Sequence, residues 1–360
     1  MSTSSGTAPL PLVTQRAAHL RCGINLSHWY SQVYSAEGYT PAHFDRYMTD
    51  ADLALIARMG FDHVRFAINA SPILDVAQPS RLPAEYIARL DRVVGTLQEL
   101  GLAVIIDIHP ETKFKKWIAT EEGSVAFVAF WEALAGHFSK FDESRTFFEV
   151  LNEPEVLDPK LWNGIQNRAA AAIRRAAPRH TIIVSGDEYS QLTMLELLEP
   201  PADQNVIANF HLYDPIVFTH QGASWSPPWA MSCKGMTYPS APAFIGEFLK
   251  TVSDPDAVRE ITAYRDEGWN PERYERMIAR AAEWGREHGL ALTCNEFGVY
   301  KKFSPRPARL AWVRDVSALL EKYSIGWTMW DYAGDFAVVK AIDGQRVPDA
   351  GLVEALRLRA

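Results

Sequence analysis

The chain has 360 residues, 48% of them hydrophobic, with 36 Lys and Arg against 44 Asp and Glu and a formal net charge of −8. That acidic balance speaks against nucleic acid as a partner, since such binders carry a basic excess, and against adhesion to an anionic membrane surface. No run of about 18 apolar residues occurs, so no membrane span is expected. Residues 1–11 lack the basic start and apolar stretch of a signal peptide, and the compartment stays open.

Residues 1–18 open on small polar side chains and are expected to be a flexible N-terminal segment. Beyond them, short apolar runs at 20–26, 63–68, 103–108, 147–151, 181–185, 206–211, 291–296 and 326–330 read as strands. Ile105-Ile106-Asp107-Ile108 and Thr181-Ile182-Ile183-Val184 have the continuous β-branched character of strands buried on both faces. Helical patterns fall between them at 51–59, 83–100, 124–138, 161–177, 191–198, 271–288 and 305–323, with a last stretch near 352–358. The first of these starts after Thr49 and Asp50 and stops at Gly60, a signal at each end. Strands alternating with helices predict a parallel sheet. Their number here predicts an α/β fold of (β/α)8 TIM-barrel type, one domain over 19–360.

The stretch 214–270 is far longer than an ordinary strand-to-helix connection. It carries Trp225 and Trp229, predicts a short helix near 255–266, and is expected to wall a cleft on the barrel's active face. Cys22, Cys233 and Cys294 have no metal or CxxC spacing and read as small buried hydrophobes. Nothing in the pattern calls for a metal or cofactor.

Two glutamates end two of the expected strands, in Asn152-Glu153-Pro154 and in Asn295-Glu296-Phe297-Gly298. In a barrel the active site gathers at the C-terminal strand ends. A pair of carboxyl groups presented there suits glycosidic bond cleavage, where one protonates the leaving oxygen and the other attacks the anomeric carbon or activates water. The other strand ends carry 25–29, Arg65, His109, Asn152, His211 with Tyr213, and Trp330 with Asp331.

The ordered set Arg65, His109, Asn152, Glu153, His211, Tyr213, Glu296 and Trp330 resembles family 5 of the glycoside hydrolases, over nearly the whole chain from Cys22-Gly23-Ile24-Asn25 to Trp330. The segment from His211 to Trp225 is similar to strand-six loops of bacterial β-1,4-glucanases in that family. The resemblance implies a retaining enzyme without metal or cofactor, acting on a β-linked polysaccharide or oligosaccharide. A monomer is expected. It implies Glu153 as acid/base and Glu296 as nucleophile, held by Arg65 and Tyr213. Asn152 would meet the sugar 2-hydroxyl, His211 orient Glu153, His109 contact sugar hydroxyls, and Trp330 floor the site. Trp29 and Trp225 are expected to line sugar subsites.

Many relatives carry a second histidine where Pro110 follows His109 here, which leaves substrate preference open. The expected activity is an endo-β-1,4-glucanase. A β-mannanase, another β-glucan hydrolase or a β-glucosidase remains an alternative, as does a carbohydrate-binding barrel without catalysis. A phosphate- or Schiff-base-dependent barrel enzyme would want a glycine-rich phosphate loop or a lysine at a strand end, and neither is present.

Overall fold

The computed structural model describes residues 11–359. Eight strands close into a barrel in which each pairs with its sequence neighbours and the first with the eighth, all parallel. They are β1 (Cys22–Tyr30), β2 (His63–Ile68), β3 (Ala103–Ile108), β4 (Thr146–Glu149), β5 (Thr181–Ser185), β6 (Val206–Leu212), β7 (Ala291–Phe297) and β8 (Gly326–Met329). The expected TIM barrel is the fold of this chain.

The helices up to β5 are α1 (Leu12–Ala17), α2 (Pro41–Tyr47), α3 (Asp50–Arg58), α4 (Ala84–Glu99), α5 (Thr112–Ile118), α6 (Glu121–Phe138) and α7 (Pro159–Ala176). After β5 come the short turn α8 (Asp187–Ser190), α9 (Ile216–Thr219), α10 (Pro242–Leu249), α11 (Pro255–Asp266), α12 (Pro271–His288), α13 (Arg306–Lys322) and α14 (Ala350–Ala355). A hairpin, β9 (Val339–Ile342) and β10 (Gln345–Pro348), stands apart from the barrel.

Residues 12–17 correct the expectation of a flexible segment over 1–18. They form α1, whose Val13 packs with Leu20, Ala103, Ile105, Phe147, Ile183 and Ile207 in one buried cluster. That apolar contact closes the lower mouth of the barrel and holds α1 in place. Residues 1–10 lie outside the described residues. The pattern at 191–198 is a 3-10 helix over Leu192–Leu197, and α2, α5, α10 and the hairpin were not expected.

The barrel interior changes character from bottom to top. Its lower layer is apolar, whereas Asn25, Arg65, Asp107, Glu149, Asn209 and Asn295 fill the upper layer, each fully or almost fully buried. Between them the His63 ring bonds Thr328 Oγ1 at 2.8 Å and occupies space that a side chain at position 23 would need. Gly23 is therefore required by close approach.

Helix tryptophans fix the strand ends from outside. Trp131 on α6 donates its indole N–H to the Val150 carbonyl at 2.9 Å, and Trp162 on α7 donates to the Ser185 carbonyl at 2.8 Å. Gln166 clamps Ser185 from both sides, accepting from its N–H and donating to its carbonyl. A buried aromatic with its polar atom satisfied ties helix to strand without an orphaned donor.

The long stretch after β6 is ordered by a buried glutamine. Gln221 accepts from the N–H groups of Gly235 and Met236 and donates to the carbonyls of Phe218 and Met236. Helices α10 and α11 pack together over buried Ile245, Ala257 and Ile261.

Candidate active site

The site is built on Arg65, which emerges from β2 opposite Asn25 of β1 and is fully buried. Its Nε and Nη2 donate to the two oxygens of Glu149, each at 2.8 Å. Nη2 also donates to Asn152 Oδ1 at 2.9 Å and lies 3.0 Å from Asp107 Oδ2. Nη1 donates to Asn25 Oδ1 at 3.0 Å and to Glu296 Oε1 at 2.6 Å. A planar fork with five N–H groups suits such a cage, and one flexible ammonium would not satisfy it.

Three carboxylates surround this one guanidinium. Burial alone would lower the Arg65 pKa, but Asp107, Glu149 and Glu296 outweigh it and hold it well above its ordinary value. Burial pushes Asp107 up to about 6 against the opposing pull of Arg65, and burial raises Glu149 as well. Burial drives His109 down to about 3 and His211 down to about 4, so both rings are neutral near neutral pH.

His109 lies with Nδ1 2.9 Å from Asp107 Oδ2, and its Nε2 faces the amide nitrogens of Asn152 and Gln32, each at 3.2 Å. The partners set the tautomer: Nδ1–H donates to the carboxylate and Nε2 accepts. Asn152 is thus held from both ends, by Arg65 on its oxygen and by His109 on its nitrogen. His109 itself is 3% exposed and stacks on Trp330 with ring centroids 5.5 Å apart, so it faces protein groups first.

Glu153 and Glu296 come together as expected. Their ligating oxygens and a His211 nitrogen all lie within 4.8 Å of one another. Glu296 is 4% exposed and receives Arg65 on one oxygen and the Tyr213 hydroxyl on the other, at 2.9 Å. Burial, with the charges of Glu296 and Glu153, raises the Tyr213 pKa well above its usual value, so the phenol remains a donor. Glu153 opens further to solvent, its side chain 24% exposed, with His211 Nδ1 3.0 Å from Oε1. His211 and Glu296 are register partners across β6 and β7.

The same three residues are, among the described residues, the group placed to hold a cation. Their chemistry opposes it: a guanidinium already sits 2.6 Å from Glu296, and Tyr213 holds its second oxygen. The pair is arranged for donors, not for a metal.

Trp330 is 7% exposed and packs with Ala223, Tyr300 and Phe336 in a small aromatic cluster beside Tyr213. Trp225 is 54% exposed and meets the Tyr300 ring edge-on at 4.7 Å. Trp29 corrects the expectation of a sugar platform. It is 2% exposed, donates its indole N–H to the Phe44 carbonyl at 2.8 Å, and packs against Tyr30 and Phe66 in the core. The β1 register shifts between Leu26 and Tyr30, and His28 takes φ 56° there, so alternation along the strand no longer says which way Trp29 points.

Glu149, Asn209, Asn295 and Gln32 join the site without having been expected. Asn209 and Asn295 each donate to Glu149, at 3.2 and 2.7 Å. A signal for Glu149 existed: a carboxylate inside a strand buried on both faces must have a charged or multiply hydrogen-bonded partner.

A closed parallel barrel presenting two carboxyl groups side by side at its C-terminal rim has the arrangement that a glycoside hydrolase requires. The family model described as Cellulase (glycosyl hydrolase family 5) matches residues 29–335, and the chain belongs to that family. Endoglucanase C of Acetivibrio thermocellus is 29% identical over 321 residues, covering 87% of this chain and 91% of that protein. Cellodextrinase A of Ruminococcus flavefaciens is 28% identical, covering 84% and 82%. Among solved structures, Thermotoga maritima Cel5A in complex with cellobiose superposes with a TM-score of 0.79 at 25% identity, covering 96% of this chain and 99% of that one. A further structure of that protein holds mannotriose, at the same TM-score and identity.

Proposed function

We propose that this enzyme is an endo-acting β-1,4-glucanase in which Glu296 is the nucleophile and Glu153 the acid/base. The observation that carries this reading is the division of donors within 4.8 Å: Arg65 and Tyr213 on Glu296, His211 alone on the more open Glu153. In the first step Glu296 attacks the anomeric carbon while Glu153 passes its proton to the departing glycosidic oxygen. In the second, Glu153 takes a proton from water, which displaces Glu296 and restores the anomeric configuration. The neutral His211 orients Glu153. Asn152, pinned by Arg65 and His109, presents its amide to the sugar 2-hydroxyl, a contact that strengthens in the transition state. Trp330 floors the cleaved sugar, and Trp225 stacks a sugar further along the cleft.

The similarity to a protein named endoglucanase and one named cellodextrinase supports β-glucan as the substrate. A β-mannan is the second reading, favoured by the mannotriose complex of the similar Thermotoga maritima protein. Proton NMR of cellotetraose and mannotetraose digests, with Glu296→Gln as control, separates them. Early β-anomer from cellotetraose, lost in the variant, is the expected result. Cleavage of mannotetraose alone would move the substrate to mannan, and early α-anomer would refute double displacement.

A further inference from the structure

Lysines collect at one rim of the active face, in a chain whose formal net charge is −8. Lys234 lies in the long stretch after β6, and Lys301 and Lys302 stand shortly after β7, in the segment that follows Glu296. All three are exposed. Lys234 Nζ stands 4.8 Å and Lys302 Nζ 5.2 Å from the centroid of the same Phe303 ring. Lys301 Nζ donates to the Gly334 carbonyl at 2.6 Å. Elsewhere on the surface Lys140, Lys250, Lys322 and Lys340 each lie against a carboxylate. Among the described residues, Lys234, Lys301 and Lys302 form no such ion pair. Asp331 is within reach of the Lys301 charge, but it is fully buried and already accepts from Ser27 Oγ and the Gly334 N–H.

The ring beneath these charges is fixed in place. Gly222 has φ 72°, and a Cβ there would meet the Phe303 ring at 2.3 Å, so the ring packs directly on that backbone. Gly235 N–H donates to the Phe303 carbonyl at 3.2 Å and Tyr300 N–H to the Thr219 carbonyl at 2.8 Å, which ties the segments after β6 and β7 together. Phe303 packs against the cluster of Ala223, Tyr300, Trp330 and Phe336. One aromatic cluster thus carries Trp330 at the catalytic pair and, through Phe303, two ammonium groups. A cation over an aromatic ring is weakly favoured. Two like charges gathered at one ring nevertheless repel each other, and no protein anion relieves them. An anion brought by a ligand would complete the arrangement.

We propose that the lysines around Phe303 bind acidic substituents on the glycan, which makes the substrate class a β-glucan carrying carboxylate groups. The assignment rests on the glucanase reading and deepens it by naming the charge of the substrate. A net-negative protein repels an acidic polymer at a distance, so positive charge gathered beside the cleft is what brings one in. The substituents of a β-1,4-linked glucosyl unit project from the edge of its ring, while its faces are left to aromatic side chains. A sugar seated on Trp225 or Trp330 therefore extends its substituents toward the walls of the cleft, and Lys234 and Lys302 belong to the aromatic cluster that Trp330 and Tyr300 share. A compact ammonium on a flexible stem can follow an acid whose place along the polymer varies.

The test uses the full chain with carboxymethylcellulose and neutral hydroxyethylcellulose of matched length and substitution. The readout is the ratio of kcat/KM on the acidic polymer to that on the neutral one. Both values come from one preparation, so the ratio is blind to any misfolded fraction. The double variant Lys234→Gln/Lys302→Gln lowers the ratio about tenfold at low salt, roughly threefold for each unit charge about 6 Å from its partner in water. Lys301 is left in place because it also ties the segment around Gly334. Lys234→Arg/Lys302→Arg, which keeps the charges, stays within about twofold of the parent. At ~1 M salt, where the screening length is about 3 Å, the parent's ratio drops to that of the glutamine variant. A ratio unchanged in the glutamine variant at low salt, or an equal fall in the arginine variant, overturns the proposal while leaving the glucanase reading intact. Failure of the parent to cut either polymer would instead sink the glucanase reading, and this site with it.

Discussion

Glu149 is predicted to support both stability and turnover through Arg65. Its Oε1 accepts from Arg65 Nη2 and Asn209 Nδ2, and its Oε2 from Arg65 Nε and Asn295 Nδ2. Glu149→Gln preserves the shape but exchanges one of these acceptors for an NH2 group. Placed at Oε1, that group opposes Arg65 and Asn209; placed at Oε2, it opposes Arg65 and Asn295. Asn295 has an unpartnered Oδ1 and can turn to accept. Arg65 has no acceptor to offer: at Oε2 the group leaves its Nε–H unpaired, and at Oε1 it faces Nη2–H and deprives Asn209 Nδ2, whose own Oδ1 already accepts from the Asn295 N–H, of its acceptor. The loss is about 2–3 kcal/mol, the range for a buried hydrogen bond to a charged group. Glu149→Ala removes the whole partner and costs about 3–5 kcal/mol, as for a buried ion pair cut on one side. Because Arg65 also holds Glu296 and Asn152, kcat falls with stability, by about tenfold in Glu149→Gln for ~1.4 kcal/mol of lost transition-state binding. Urea denaturation and cellotetraose turnover measure the two effects. A Glu149→Gln protein as stable and as active as the parent would refute the claim that this carboxylate anchors Arg65.

Further expectations concern protons, single donors and aromatic rings. His109, His211 and His220 are pushed by burial from 6.5 to about 3, 4 and 4, so between pH 6.5 and those values the unfolded chain binds more protons and stability falls with acidification. Asp107, raised by burial from 3.8 to about 6, acts in the opposite sense over pH 4–6, since there the folded state holds the extra proton. Glu149, Asp214 and Asp331, likewise raised by burial, act with Asp107, and His19 and His180, lowered by burial, act with the other histidines. Five histidines against four carboxyls predict a net decline from pH 6.5 to 4.5; a flat or rising series of denaturation free energies would contradict it. Tyr213→Phe deletes one of the two donors to Glu296 and lowers kcat/KM about 10- to 100-fold, by the 1.5–3 kcal/mol range of such bonds; a change below twofold would show that donor to be idle. Trp29→Ala costs roughly 3–5 kcal/mol of stability as a core truncation. Trp225→Ala leaves stability nearly unchanged and raises KM for cello-oligosaccharides, and the reverse pattern would exchange their roles.

Much of this was legible in the chain, for a physical reason. Strands β2, β3 and β5 occupy the expected residues because strands buried on both faces read as unbroken apolar runs with few alternatives. Helices α11 and α12 match because Asp254 and Asn270 cap their first turns, and Gly289 ends α12 in left-handed backbone. Glu153 and Glu296 could be placed because a strand end in a barrel determines where its side chains gather, whereas Arg65, expected at a strand end, lies within β2, three residues short of its end. Elements lacking such signals were missed. Helices α2, α5 and α10 are eight residues or fewer, too short for periodicity to declare them, and the hairpin β9–β10 has one buried residue, Val339, in β9 and none in β10. Trp29 was misplaced by an irregular strand end. Glu149 was read as one letter of an apolar run, although its charge required a partner.

Glu296 is predicted to become covalently linked to sugar during turnover, while Glu153 does not. Incubation with 2,4-dinitrophenyl 2-deoxy-2-fluoro-β-cellobioside followed by peptide mass spectrometry tests it directly. One fluoroglycosyl adduct on the peptide containing Glu296, absent from Glu296→Gln, is the predicted result. An adduct on Glu153, or none while cellotetraose is cleaved with inversion, would contradict it.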